Sequence, residues 1–462
     1  MSAPESADRG GRSAPITPLY KRLPHGPHGM EREQIVRNQR ARMFGAMIQA
    51  VSEYGYCKTG VKHVIGLAGV SRRAFYEQFP NKEACFLATF DGIVAQAVVE
   101  TRQAYAELEQ DPQTGLLTVL ELLLKMVRED PARARLVARD SPIAGPGGLE
   151  KFDKLMRFLG QKLGGHLAGS ADDGEISAAL LRAVIGSLYG VVLLGLREDD
   201  LAEVSAEDLH SLVRLGVRPL GDLHGQTRPV ITREMPDPPL EEQARREIDK
   251  STDVRTRMLL GALVVGMTEG AHDASQVAHM AGVSLDCFFE TFKGVEQCFS
   301  DGLQMLSYRL FELIATTESG DPQWARSVHD SLTALTSYLV EHPLYAQALT
   351  LETATPQTLA VDRGLDVARG LAILLTEGAP PQASSKHAID AIAGAIWHTV
   401  SCHVKSRKLH RLPTVSDQLT YFVLGVCLDA EQAAAELESV SEGQKQMGSR
   451  ELEDHHEVPV NV

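Results

Sequence analysis

Thr59-Gly60-Val61-Lys62-His63-Val64-Ile65-Gly66-Leu67-Ala68-Gly69-Val70-Ser71-Arg72-Arg73-Ala74-Phe75-Tyr76-Glu77-Gln78-Phe79 is the stretch on which the fold turns. Apolar Val61, Val64 and Ile65 line the inner face of a short helix, with Thr59 in the N-cap position. Ala68-Gly69-Val70 reads as a tight turn, and Ser71 caps a further helix that runs from Arg72 to Phe79. Helix, glycine-containing turn, helix is the geometry that lays a second helix into a major groove. Arg72 and Arg73 open that helix, where a guanidinium fork can take guanine O6 and N7 together or clamp a phosphate. The competing reading makes them two solvated surface charges.

Working outward, a long amphipathic helix precedes the stretch and ends at Tyr54-Gly55-Tyr56, where glycine can close it. Three- and four-residue apolar spacing predicts helices near 31–54, 59–66, 71–78, 82–108, 114–128, 149–167, 175–196 and 205–217. A Pro-rich linker, Pro219 to Pro239, follows, and helical patterning then resumes to about Leu437. No convincing alternating strand occurs, so the expected class is all-α. The expected divisions are a disordered tail 1–30, a helix-turn-helix head 31–91, a helical regulatory core 92–218, the linker 219–240, a degenerate head 241–303, a second core 304–438 and a disordered tail 439–462.

Composition sets the outer limits. A chain of 462 residues with 44% apolar residues can build at least two cores, and 5% aromatics suits helical packing. The formal charge of -15 excludes a uniformly basic coat but not a local positive patch. Cys57, Cys85, Cys287, Cys298, Cys402 and Cys427 lack the short spacings of metal or redox motifs, which predicts reduced thiols and no metal site. The N-terminus shows no apolar signal core, and Ala183 to Leu196 is too short to span a bilayer, so a cytoplasmic protein with no membrane partner is expected.

The two halves repeat each other in four places. Ala68-Gly69-Val70-Ser71 matches Ala281-Gly282-Val283-Ser284, and Asp111-Pro112-Gln113 matches Asp321-Pro322-Gln323. Glu129-Asp130-Pro131 matches Glu341-His342-Pro343, and Ala183 to Val192 matches Ala391 to Val400. Four matches in order, at offsets of 208 to 213, predict a duplication.

At Thr59, Val64-Ile65, Ala68-Gly69-Val70-Ser71, Phe75-Tyr76, Phe79, Asn81-Lys82-Glu83 and Phe86 the sequence resembles the TetR/AcrR family of transcriptional regulators. The resemblance is sharp over roughly Arg37 to Asp91. It implies three N-terminal helices on double-stranded DNA and a larger helical core with a small-molecule effector pocket and a dimerising pair of final helices. It also implies a repressor, the commonest role in the family. By position it assigns Thr59, Lys62, Ser71, Arg72, Arg73 and Tyr76 to the DNA face and Lys82 to a phosphate. Phe75, Phe79, Val64, Ile65 and Val70 would form the small core beneath them. For Tyr76, partial burial against the first helix is an equal alternative.

The second repeat keeps the core positions and loses the groove face. Arg72 becomes Leu285, Arg73 becomes Asp286, Tyr76 becomes Phe289 and Lys82 becomes Val295. Residues 31–90 hold nine Lys/Arg against five Asp/Glu, a balance of +4, whereas 244–303 hold six against nine, a balance of -3. Phosphate binding draws on cations and counterion release, so only the first head is expected to read DNA.

Other features have bland readings. Gly186 and Gly190 suit close helix packing, in agreement with the family's dimerising helix. His166, His398, His403 and His410 read as surface or satisfied core histidines, and His455, His456 and Glu457 as part of a solvated tail. Ser141 to Gly148 either gates a pocket or connects helices. No phosphate loop, nucleophile elbow or HExxH pattern occurs, so no enzyme activity and no cofactor are expected. The rival to a DNA-binding regulator is an effector-sensing or protein-interaction module without productive DNA binding. The helix pairs 175–196 with 205–217 and 384–405 with 415–437 predict an intrachain pseudo-dimer, with further homo-oligomerisation required to read a palindrome.

Overall fold

A computed structural model describes residues 32–108, 112–170, 178–215, 240–267, 273–317, 323–350, 359–380 and 385–440. The tail 1–30, the linker 219–239, Asp111, Asp321-Pro322 and His455-His456-Glu457 lie outside the described residues. The fold is all-α: among the described residues there are helices and turns and no strand.

The chain divides into two compact units, residues 1–92 and 93–462. The first holds α1 (Arg32–Lys58), α2 (Val61–Ala68), α3 (Arg72–Tyr76) and the start of α4 (Lys82–Leu108). The second carries α5 (Pro112–Glu129), α6 (Pro131–Arg135), α7 (Pro146–Ser170), α8 (Ala178–Glu198) and α9 (Ala206–Arg214). It continues with α10 (Leu240–Lys250), α11 (Val254–Met267), α12 (Ala274–Ala281), α13 (Leu285–Thr291), α14 (Val295–Thr317) and α15 (Trp324–Glu341). Next come α16 (Pro343–Leu349), α17 (Leu359–Leu375), α18 (Lys386–Lys405) and α19 (Ser416–Cys427), with a closing helix over 430–440.

Residues 241–303 do not form a separate unit. Apolar side chains from Leu116 to Val440 join in one continuous buried cluster that takes in Leu263, Val277, Phe288 and Phe292. α10 adds to this attachment: buried Glu247 accepts from the imidazole of His342, with Nδ1 3.0 Å from Oε1.

Several boundaries differ from the sequence expectation. α1 runs to Lys58 but breaks at Gly55, whose φ of 72° interrupts the helix. α3 stops at Tyr76, and α19 stops at Cys427 where Leu428 leaves the helical region. The Ser141 to Gly148 segment is largely structural: residues 141–144 are buried, and α7 takes in Pro146 to Gly148. Ahead of it, Leu136–Asp140 forms a π-helical turn that periodicity does not foretell. A π-turn misaligns backbone partners, and here the Tyr189 hydroxyl donates to the Ala138 carbonyl at 2.9 Å.

α8 and α18 cross at the centre of the second unit. A Cβ built on Gly394 would lie 2.2 Å from the Gly186 carbonyl oxygen and 2.7 Å from the Gly190 Cα. Only hydrogen side chains permit that approach. Tyr189 on α8 stacks on Trp397 of α18, with centroids 5.7 Å apart. α8 has 21 residues and, like Lys82–Ala106, is long and apolar enough to cross a membrane, which corrects the shorter run read from the sequence. Its apolar window is 78% buried against other helices, as expected for a core helix.

Charged groups close the end of this crossing. Arg197 bonds to Asp366 at 2.6 Å, Arg369 bonds to Glu198 and lies 2.9 Å from Asp390, and Lys386 reaches Glu198, Asp200 and Asp390. The Arg369 hydrogen bond, aided by Lys386 and opposed by burial, holds Glu198 down at about 2. Burial shifts Asp390 the other way, raising its pKa despite both cations. A carboxylate with a lowered folded pKa stabilises above its unfolded value and loses that contribution as pH falls through the folded one. In Glu198→Gln, urea midpoints should therefore fall less steeply than in the wild type, from the ordinary carboxylate range down to about pH 2.

Candidate nucleic-acid interface

The head is built by local chemistry. Gly60 is the N-cap of α2, one residue later than expected, and its N–H donates to His63 Nδ1 at 3.2 Å. Thr59 is turned inward instead: it is 2% exposed, and its hydroxyl lies within bonding distance of the Ala50 and Gly55 carbonyls at 3.0 and 2.8 Å. Its contribution is to pin the α1–α2 junction, not to face DNA. A threonine before a helix suits a cap and an internal anchor equally, and only the tertiary fold separates the two.

α2 ends at Gly69 in the left-handed conformation, φ 61° and ψ 42°, with its N–H returned to the Ile65 carbonyl. An L-residue with a side chain avoids this conformation, so glycine here is a condition of the turn. Two residues on, Ser71 caps α3 by accepting from the Ala74 N–H at 3.1 Å. Phe75 and Phe79 are buried at 0% and 3%, with ring centroids 5.8 Å apart, and Val64, Ala68 and Phe86 complete the core around them. Ile65 and Val70, expected in that core, are only partly buried.

With Phe75 and Phe79 facing inward, the other side of α3 faces solvent. Arg72 and Arg73 are exposed on its first turn, and Lys62 is exposed on α2. Arg73 pairs with Glu77 at 2.8 Å, but its side chain is 89% exposed. Such a pair is weak and screened by salt, so it leaves the guanidinium available to an anion. Arg72 lies 5.6 Å from the centroid of Tyr76, which is itself 45% exposed and therefore on the open face. Ser71, Arg72, Arg73, Tyr76 and Lys62 thus remain on the solvent side of the head.

Lys82 is placed differently. Its ammonium donates to the Tyr56 carbonyl at 3.0 Å and lies 3.9 Å from the Tyr56 ring centroid, and burial lowers its pKa. It ties α4 to the end of α1, leaving fewer donors for a phosphate than a free lysine has. Two further arginines brace the scaffold. Arg42 donates to the Ala68 carbonyl at 2.9 Å, and Arg40 lies 4.8 Å from the Phe79 ring centroid. Their positions within α1 distinguish them from solvated charges only once the helices are packed.

α12 and α13 repeat the local geometry. Gly282 adopts φ 66° and ψ 39°, and Ser284 accepts from the Cys287 N–H at 3.2 Å. Phe288 and Phe292 are buried beneath. Gly282, Ser284, Phe288 and Phe292 each lie 213 positions after Gly69, Ser71, Phe75 and Phe79, as do buried Cys298 and Phe299 after Cys85 and Phe86. The outer side of α13, however, carries Leu285, Asp286, Phe289 and Glu290, all exposed.

The capped turn with two exposed arginines on its second helix defines a helix-turn-helix head of the DNA-binding class. Residues 47–89, from within α1 into α4, match the family model for bacterial regulatory proteins of the tetR family. The chain is also similar to the HTH-type transcriptional regulator RutR of Escherichia coli (strain K12), 22% identical over 147 residues, covering 32% of this chain and 68% of that protein. The Shigella flexneri RutR matches at the same identity over the same shares. The two likenesses support a transcriptional regulator whose residues 47–89 form a DNA-binding head of the tetR type.

Proposed function

We propose that this chain is a cytoplasmic repressor that binds a specific DNA operator through its first head and releases it on binding a small-molecule effector. The carrying observation is the exposure of Arg72 and Arg73 on the first turn of α3, held there by buried Phe75. In this reading Arg72 and Arg73 contact bases or phosphates, Lys62, Ser71 and Tyr76 flank them, and Lys82 assists from the α4 start. Effector response and repression are drawn from the family resemblance. A gel-shift with genomic fragments around the protein's own coding region tests the reading, and absence of any specific complex would favour a sensing or protein-interaction module instead.

We also propose that the chain is a duplicated regulator whose halves pair within one molecule. The like-numbered glycines, caps and buried phenylalanines of α2–α3 and α12–α13 support duplication. The close crossing of α8 on α18 supports internal pairing, with Gly186 and Gly190 of one helix against Gly394 of the other. Tethering raises the local concentration of one half near the other to roughly millimolar, which favours this pairing over an external one. One competent head per chain then means that a palindrome is read by two chains. Cysteines introduced at facing positions of α8 and α18 should cross-link within single chains on denaturing gels. Predominantly interchain products between α8 helices would overturn the pairing.

The second head should add little to DNA affinity, because Asp286 stands where Arg73 stands in the first. Asp286→Ala should leave operator binding unchanged or slightly tighter in a titration at fixed salt. A clear loss with the fold intact would show that α13 reads DNA.

A further inference from the structure

The second helix-turn-helix keeps its caps and its buried phenylalanines, yet its outer face is neither basic nor simply polar. Leu285 and Phe289 are 43% and 54% exposed, and their i, i+4 spacing sets them side by side along α13. Asp286 and Glu290 are exposed at the same spacing one residue further on, making an acidic stripe beside the apolar one. Across 273–296 the charged side chains are Asp273, Asp286, Glu290, Lys293 and Glu296, four acids against one lysine. An apolar ridge bordered by one sign of charge is the surface that receives an amphipathic segment of opposite charge.

We propose that the outer face of α13 docks a cationic amphipathic segment of another protein, whose apolar side chains cover Leu285 and Phe289 and whose lysines or arginines meet Asp286 and Glu290. Charge selects this occupant. DNA phosphates would face Asp286 and Glu290 across the interface. A second copy of α13 would bring the same two carboxylates against their own counterparts. A neutral apolar partner would leave the acidic stripe unmatched. The inference goes beyond the operator-binding reading, and its test contains no DNA, so either can fail without the other.

The test uses the full chain and two synthetic 18-residue amphipathic helices, one of Leu and Lys and one of Leu and Glu, followed by fluorescence anisotropy. The Leu/Lys peptide should bind, and the Leu/Glu peptide should not. Two double variants, Leu285→Ser with Phe289→Ser and Asp286→Lys with Glu290→Lys, should each weaken binding at least tenfold. All four side chains are exposed, so matched thermal melts verify that the fold persists. A control with the same charge change elsewhere, Glu129→Lys with Glu150→Lys, should bind within twofold of the wild type. Failure of the wild type to bind the Leu/Lys peptide overturns the proposal. So does wild-type affinity in Leu285→Ser with Phe289→Ser, or equal weakening in the control, which would mark non-specific attraction to an acidic protein. Self-association of the wild type that the α13 variants abolish would assign the face to a second copy, which also overturns it.

Discussion

The double variant Arg72→Ala, Arg73→Ala should lose operator affinity by on the order of a hundredfold, while its melting temperature stays near that of the wild type. A good base contact contributes about 1–3 kcal/mol of binding, and roughly 1.4 kcal/mol corresponds to a factor of ten. The two arginines stand together on the first turn of α3, so both are removed from the same stretch of groove. Stability should barely respond, because both side chains are exposed and the packing of α3 rests on Phe75 and Phe79. Salt dependence separates the two kinds of contact. Loss of a phosphate contact lowers the slope of log affinity against log salt by about 1, whereas loss of a base contact relaxes sequence preference instead. Unchanged affinity in a folded double variant would remove α3 from the DNA interface.

The second large effect is expected at the α8–α18 crossing. Gly394→Ala should destabilise the second unit by about 3 kcal/mol, at the upper end of the usual overpacking cost. The added methyl would sit 2.2 Å from the Gly186 carbonyl oxygen and 2.9 Å from the Gly190 nitrogen. Both obstacles are helix backbone, so neither can move aside as a flexible side chain would. The two helices must separate, which also disturbs the Tyr189–Trp397 stack above them. Gly160→Ala on α7 is the matched control, since its Cβ would meet only the Ile185 side chain at 3.9 Å. That variant should be neutral or gain up to about 1 kcal/mol from helix propensity. Urea midpoints of the two variants make the comparison, and a Gly394→Ala midpoint equal to that of the wild type would show that the crossing is looser than described.

What the sequence by itself determined about this protein is the part whose physics is local. A glycine that must adopt positive φ, a serine that caps the next helix and a phenylalanine pair four residues apart are all carried by near neighbours. Gly69, Ser71, Phe75 and Phe79 could therefore be read without a structure, and so could Gly282, Ser284, Phe288 and Phe292. The loss of the basic face on α13 was legible for the same reason, as a change of side-chain type at known positions. What only the tertiary structure decided depends on groups distant in sequence. Thr59 looks like a cap until the Ala50 and Gly55 carbonyls arrive to take its hydroxyl, and Lys82 looks free until the end of α1 closes over it. Gly186 and Gly190 announce close packing, but only the fold supplies Gly394 as the surface they meet, 208 and 204 residues away. Burial of a polar group and contact between helices are properties of the assembled core, because each depends on which surfaces the whole chain can remove from water together.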